Sequence, residues 1–321
     1  MKIAIIPCQN GLGHAVRSFF IFKELKKKKI NVKFFYNKKS KNIFSNYSTH
    51  LNCETKLINF KNGNYLKKNY KKNLFKKYDF VYIDNLYEKI IKLDKKAIIF
   101  ANFFWFNLYN IKKNFYKSII NEKKNIHKIF TNYLFFHRDS FRDIKKFYKV
   151  GFFGKFSNEK FKKRNNILIS LGTADFYNEK NLINEIINNL PIIKAGKIYL
   201  DPKIFYKISK PKNNILLAKY NKNMYKDLAV AIVKPGFSTL ENCLRNGVTP
   251  ISFFKNLNTE FHHNSRIIKK NKLGYVSNSI NKSFELAKKI CSNKNEQKKM
   301  YMRHSKLKWH GEKKIFKELL K

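Results

Sequence analysis

One pattern repeats along the chain: a short apolar run, a turn, then a longer segment whose apolar residues fall at helical spacing. A strand buried on both faces reads as a continuous apolar run, and returning to the same edge of a parallel sheet requires a helix. The runs Ile3 to Ile6, Val32 to Tyr36, Lys56 to Phe60, Phe80 to Asp84, Ala97 to Ala101 and Lys128 to Thr131 are therefore expected strands of a first domain. Gly151-Phe152-Phe153-Gly154 and the basic stretch to Arg164 read as a connector. The pattern then restarts with Ile167 to Leu171, Ile198 to Leu200, Ile215 to Ala218, Val230 to Val233 and Pro250 to Phe253. The expected architecture is α/β, two doubly wound Rossmann-like domains in tandem, at 1–150 and 166–321 with a linker at 151–165. The segment from about Asn293 has helical composition and no strand after it, so it is free to cross back over the first domain.

Composition narrows the function classes. With 43% hydrophobic and 16% aromatic residues the chain is too apolar to be a disordered basic tail, and 11 glycines and 6 prolines in 321 residues exclude collagen-like and low-complexity readings. Lys and Arg number 69 against 21 Asp and Glu, so the net charge is 69 − 21 = +48. Lys, Asn, Ile, Phe and Tyr are all crowded, as an AT-rich coding bias produces. The charge is read first as a solvated surface, with attraction to anionic membrane, nucleic acid or acidic glycan as its physical consequence. Cys8, Cys53, Cys243 and Cys291 make no CxxC pair or metal-ligand spacing, which fits reduced thiols and a cytoplasmic location. The N-terminal apolar run is broken by Pro7, Asn10 and two glycines, unlike a signal peptide or a membrane span.

In an open parallel sheet, ligands bind beyond the carboxyl ends of the strands, where helix N-termini aim their N–H groups outward. Asn10-Gly11-Leu12-Gly13-His14 follows the first strand and opens a helix; the glycines leave room for a tight turn, and an imidazole at the helix start suits a general base or, more blandly, a cap. Val16 stands where the third glycine of the dinucleotide fingerprint would fall, which weakens a nicotinamide-cofactor reading. In the second half, Lys234-Pro235-Gly236-Phe237-Ser238-Thr239 follows a buried strand, with Ser238 or Thr239 expected to cap the next helix. That turn is read either as a seat for a diphosphate or as a plain capping box, Ser238 to Glu241.

GLGHAVRS, LISLGTADF, IVKPGFSTLENCLRNGVTPISF and EFHHNSRII, in that order, resemble motifs of the GT-B glycosyltransferases, particularly the MurG-like family 28 branch. The resemblance implies a nucleotide-diphosphate sugar donor, with UDP the expected nucleotide, held mostly by the C-terminal domain. It places the acceptor, a glycan or lipid-linked intermediate, on the N-terminal domain, and the reaction in a cleft between them. Asn10, Gly11, Gly13, His14 and Arg17 then fall on the acceptor and phosphate side. Gly172, Thr173, Lys234, Gly236, Ser238, Thr239 and Glu260 fall on the donor side. Asn242 occupies the place of the family's ribose-binding glutamate, with Glu241 one residue earlier. Because no Asp-x-Asp triplet occurs, a metal-independent inverting transfer is expected, the leaving diphosphate being met by helix N–H groups, hydroxyls and a cation such as Lys234, Arg17 or Arg266. His14 is the expected base, oriented by Asp84; no cofactor is implied.

Two alternatives stay open. GLGHAVRS and Asp84 at a strand end also resemble the nucleotide-sugar hydrolase of pseudaminic acid synthesis. A basic, aromatic-rich nucleic-acid binder is the non-enzymatic rival, although the lysines are spread over most helices rather than clustered, and no nucleic-acid partner is expected. Peripheral contact with an anionic inner membrane face is a further expectation. His262-His263 are poor metal ligands, since adjacent helical residues point about 100° apart. Phe103 to Phe106 read as core or as an acceptor platform, and Arg138, Asp139, Arg142 and Asp143 as local helix ion pairs.

Overall fold

The computed structural model describes residues 1–7, 12–36, 55–57, 77–84, 96–103, 126–142, 144, 146–157, 159–172, 179–192, 196–254 and 259–320. They fall into two compact units, Met1–Gly154 with His310–Lys321, and Lys155–Trp309.

In the first unit, β1 (Lys2–Pro7), β2 (Asn31–Tyr36), β3 (Thr55–Leu57), β4 (Phe80–Asp84), β5 (Lys96–Phe100), β6 (Ile126–Asn132) and β7 (Tyr148–Val150) form one sheet in the order β3-β2-β1-β4-β5-β6-β7. Every pairing is parallel. The order reverses at β1, whose neighbours are β2 and β4, so the switch point lies between β1 and β4. β1 is buried from Ile3 to Pro7 and β4 from Val81 to Asp84 without alternation, as parallel strands covered on both faces require. α1 (Leu12–Lys27) follows β1 and buries Ala15, Phe19, Phe22 and Leu25, spaced along one helical stripe. Lys26 and Lys27 sit in its last turn, where they complement the helix dipole. Phe152 and Phe153, inside the segment that reads as a connector, are fully buried here, Phe153 edge-on to Phe100.

In the second unit, β8 (Asn166–Ser170), β9 (Ile198–Leu200), β10 (Ile215–Leu217), β11 (Leu228–Val233), β12 (Thr249–Phe253) and β13 (Tyr275–Ser277) give the all-parallel order β10-β9-β8-β11-β12-β13. The same reversal places this switch point between β8 and β11. The helices are α2 (Glu179–Asn189), α3 (Pro202–Phe205), α4 (Lys222–Lys226), α5 (Phe237–Arg245), α6 (Thr259–Lys270), α7 (Ile280–Ser292) and α8 (Lys294–Ser305). Apolar faces of α2 and α7 meet β8, β11 and β12 in one core containing Ile186, Ile167, Val230, Ile251, Phe284 and Ala287. α8 is pinned by Gln297, which accepts from the Arg164 N–H at 2.9 Å and donates back to the Arg164 carbonyl at 2.9 Å.

A last helix, α9 (Gly311–Leu319), belongs to the first unit and packs on α1. Its start is tied by Gly311 N–H donating to the Phe152 carbonyl at 2.8 Å and by Glu312 Oε2 accepting from Gly154 N–H at 2.8 Å. Farther along, Lys128 Nζ donates to the Glu318 carbonyl.

Candidate active site

At the switch point of the first unit, Pro7 ends β1 in register with Asp84, the last residue of β4. α1 starts just beyond, so His14 and Arg17, three residues apart and on one helical face, both reach Asp84. His14 Nδ1 stands 2.6 Å from Asp84 Oδ1. Arg17 donates from Nε to Oδ2 at 3.0 Å and from Nη2 to Oδ1 at 2.8 Å, a two-pronged pair. A carboxylate only accepts, so the short contact is a hydrogen bond when the ring hydrogen sits on Nδ1, the neutral tautomer whose lone pair is on Nε2. Nη2 and Nδ1 also lie 2.8 Å apart, and both stand within hydrogen-bond distance of Oδ1.

Asp84 is fully buried. Burial alone would raise its carboxyl, but the Arg17 and His14 charges and their hydrogen bonds outweigh that and hold it below the ordinary carboxylate range. Of the three side chains only His14 keeps appreciable exposure, 17% against 3% for Arg17 and none for Asp84. The imidazole is therefore the member of the three that solvent reaches. Arg17, expected above on the phosphate side, has its Nε and Nη2 engaged by a carboxylate, and its guanidinium lies 5.4 Å from the Phe100 ring centroid. Asn10 and Gly11 lie outside the described residues; Gly13 occupies the first turn of α1.

The second unit builds a different edge at its own switch point. Lys234 N–H donates to the Ser170 carbonyl at 3.2 Å, joining the ends of β11 and β8. Gly236 then turns the chain, its N–H bonded to the Lys234 carbonyl at 2.8 Å, and becomes the N-cap of α5 with φ −69° and ψ 136°. Its carbonyl accepts the first helical bonds, from Thr239 and Leu240, both at 3.1 Å. Ser238 and Thr239 thus stand inside the first turn, and the capping box expected from Ser238 to Glu241 does not form, since the N-cap is Gly236, which makes no side-chain cap bond. A Cβ added at Gly236 would meet nothing within 4 Å, so the backbone there faces open space.

Glu241 is 2% exposed and pairs with Arg245 at 3.6 Å, whereas Asn242 is half-buried and one turn beyond Ser238. Lys234 is buried, its Nζ 4.7 Å from the Phe261 ring centroid. Glu260 lies half-buried in the first turn of α6, and Arg266 is exposed on the same helix with Nη2 3.5 Å from His263 Nδ1. Gly172 adopts φ +71° with open space around its Cβ position, while Thr173 lies outside the described residues.

Two residues at this edge, Tyr220 and Asp201, escape sequence reasoning. Tyr220 bonds its hydroxyl to Ser170 Oγ at 2.9 Å and takes a left-handed φ of 49°. Asp201 accepts from Leu171 N–H at 2.5 Å and from Ile204 N–H at 3.2 Å, bracing the loop after β8 while capping α3; burial raises its carboxyl. The signal for Asp201 is present in the sequence, since Asp followed by Pro is a helix-start signature.

Other expectations resolve more simply. Phe103 is core, 3% exposed, and Phe104, Trp105 and Phe106 lie outside the described residues. Arg138–Phe141 is a single 3-10 turn capped by His137 rather than an α-helix, and Asp143 is outside the described residues. Among the described residues no helix is long and apolar enough to cross a membrane.

Together the two parallel sheets and their connections are those of the GT-B glycosyltransferase fold. Arabidopsis thaliana UGT89C1, solved with UDP-L-rhamnose, aligns over 99% of this chain and 98% of its own at a TM-score of 0.67 and 11% identity. The calicheamicin glycosyltransferase CalG4 aligns over 99% and 97% at 0.61 and 11%, and the spinosyn rhamnosyltransferase SpnG, solved with spinosyn aglycone, over 100% of both at 0.61 and 9%. No protein-family model matches the sequence, and no curated protein matches it.

Proposed function

We propose that this protein is a glycosyltransferase that moves a hexosyl or hexosaminyl group from a nucleoside diphosphate, UDP by expectation, to a hydroxyl of a glycan or lipid-linked acceptor, with inversion and without a metal ion. The observation that carries the reading is the His14–Asp84 contact at a sheet switch point, supported by the likeness in fold to UGT89C1 with its bound UDP-L-rhamnose. Nε2 of His14 takes the acceptor hydroxyl's proton as its oxygen bonds to the anomeric carbon; the bond from that carbon to the diphosphate breaks, and the diphosphate leaves with the electron pair. Asp84 stabilises the imidazolium that forms.

In the second unit the half-buried start of α5, the Ser238 and Thr239 hydroxyls and Lys234 receive the diphosphate charge. Asn242 contacts the ribose, and Glu260 the sugar hydroxyls. The +48 charge favours an anionic acceptor or membrane surface.

His14→Ala tests the reading. With UDP-sugars and candidate acceptors, kcat is expected to fall about 100-fold to 10,000-fold while the UDP dissociation constant stays unchanged. An equal loss of kcat and donor affinity overturns the base role. Rapid release of free sugar from the wild type without acceptor would identify a hydrolase instead.

A further inference from the structure

We infer that Arg17 is a positioning residue of the base: it holds Asp84 ionised and aimed, so that the carboxylate grips Nδ1–H of His14 and leaves Nε2 to take the proton. The inference rests on the reading of His14 as a base. Its own footing is the geometry around Asp84. A buried carboxylate with one imidazole partner carries a desolvation cost that a single neutral donor meets poorly. Here the guanidinium occupies both oxygens in the fork arrangement that only arginine offers, and shares Oδ1 with the imidazole.

Three elements fix the guanidinium. It projects from α1 one turn after His14, grips the end of β4, and lies over Phe100, which is the register partner of Asp84 on β5. Phe100 is itself backed by Phe153 at 5.0 Å. With 3% exposure Arg17 is walled off from solvent, so its effect on an incoming substrate passes through Asp84 and His14. Removing the guanidinium leaves a buried carboxylate that gains from taking a proton. A protonated Asp84 no longer dictates which ring nitrogen carries the hydrogen.

The test compares wild type, Arg17→Met and Arg17→Lys. Nitrogen-15 NMR of histidine-labelled protein at neutral pH reads the tautomer of His14 without turnover; steady-state kinetics with a UDP-sugar reads kcat and the donor KM. Wild type is expected to show the Nδ1–H form of His14. Arg17→Met is expected to show a mixture of both neutral forms, with kcat down about 100-fold and donor KM within about twofold, since a neutral side chain leaves the diphosphate edge untouched. Arg17→Lys restores the charge without the fork and is expected to fall between the two in both readouts.

A Met variant with wild-type tautomer and kcat overturns the inference. Should the Met variant fail to fold, the Lys variant decides: an unchanged His14 spectrum together with unchanged kcat overturns it. Should the wild type turn over no nucleotide sugar, the transferase reading fails, and the spectra alone still judge Arg17: a wild-type spectrum without the Nδ1–H form, or one that Arg17→Met leaves unaltered, overturns its placement.

Discussion

His304 shows how a single side chain carries a pH dependence that no surface charge supplies. It lies fully buried on α8, its Nε2 bonded to the Leu273 carbonyl at 2.8 Å and its Nδ1 without a hydrogen-bond partner among the described residues. Burial pushes the imidazole down to about 4, with the nearby Arg303 charge acting in the same direction against the carbonyl bond. In the unfolded chain it titrates near 6.5, so below that pH the unfolded state binds a proton that the folded state refuses. The stabilisation is complete above about pH 6.5 and drains away as pH falls toward 4. Urea melts should show a loss of about 2 kcal/mol by pH 5 from this one group, and His304→Phe should flatten that part of the curve. A wild type equally stable at pH 7 and pH 5 would refute the assignment. Cys243 is the inert counterpart, a fully buried thiol pushed up to about 12 by desolvation, with no role as a nucleophile at neutral pH.

At the scale of elements, the turn into α5 makes a sharper prediction than any single side chain there. The Gly236 φ of −69° suits alanine, and the added methyl meets nothing. Gly236→Ala should therefore change folding stability by no more than about 1 kcal/mol, the scale of an N-cap preference. On the proposed reading the methyl occupies the space a diphosphate would enter to reach the helix N–H groups, so UDP affinity by calorimetry should drop about tenfold or more. An unchanged affinity would place the donor elsewhere.

The same turn marks where sequence reading falls short. Ser238 to Glu241 satisfies the letters of a capping box, yet the Gly236 carbonyl takes the first helical bonds two residues earlier, and nothing local to Ser238 announces it. Strands carried by uninterrupted apolar runs are legible to the residue: Phe80 to Asp84 and Ile198 to Leu200 fall where they are expected. β7 and β13 are not, because they span only Tyr148–Val150 and Tyr275–Ser277 at the sheet edges, half-exposed and mixed in polarity. His14 and Asp84 are legible as an edge histidine and a strand-end carboxylate. The identity of Arg17's partner is not, since it lies 67 residues away in sequence and charge alone points equally to a phosphate.

For the whole molecule, the closing helix α9 matters more than its length suggests. A Cβ at Gly311 would stand 2.2 Å from the Gly151 carbonyl oxygen, so the backbone at the helix start is seated directly on the end of the first unit's sheet region. Its body then covers α1, the helix that carries His14 and Arg17. Deleting 310–321 should therefore lower the melting temperature of the first unit by several degrees, as the loss of a few kcal/mol from a domain of this size does, and leave the transition of the second unit in place. Calorimetry that shows both units lowered alike would contradict the division at Gly154 and Trp309.

That division makes one unit an uninterrupted stretch of chain and the other a split one. During synthesis the stretch 155–309 emerges whole and is able to collapse while its tail is still in the ribosome. The first unit must wait for residues 310–321 before α1 receives its cover. His14, Arg17 and Asp84 are made before residues 155–309, yet the helix over α1 arrives only after that whole stretch has emerged.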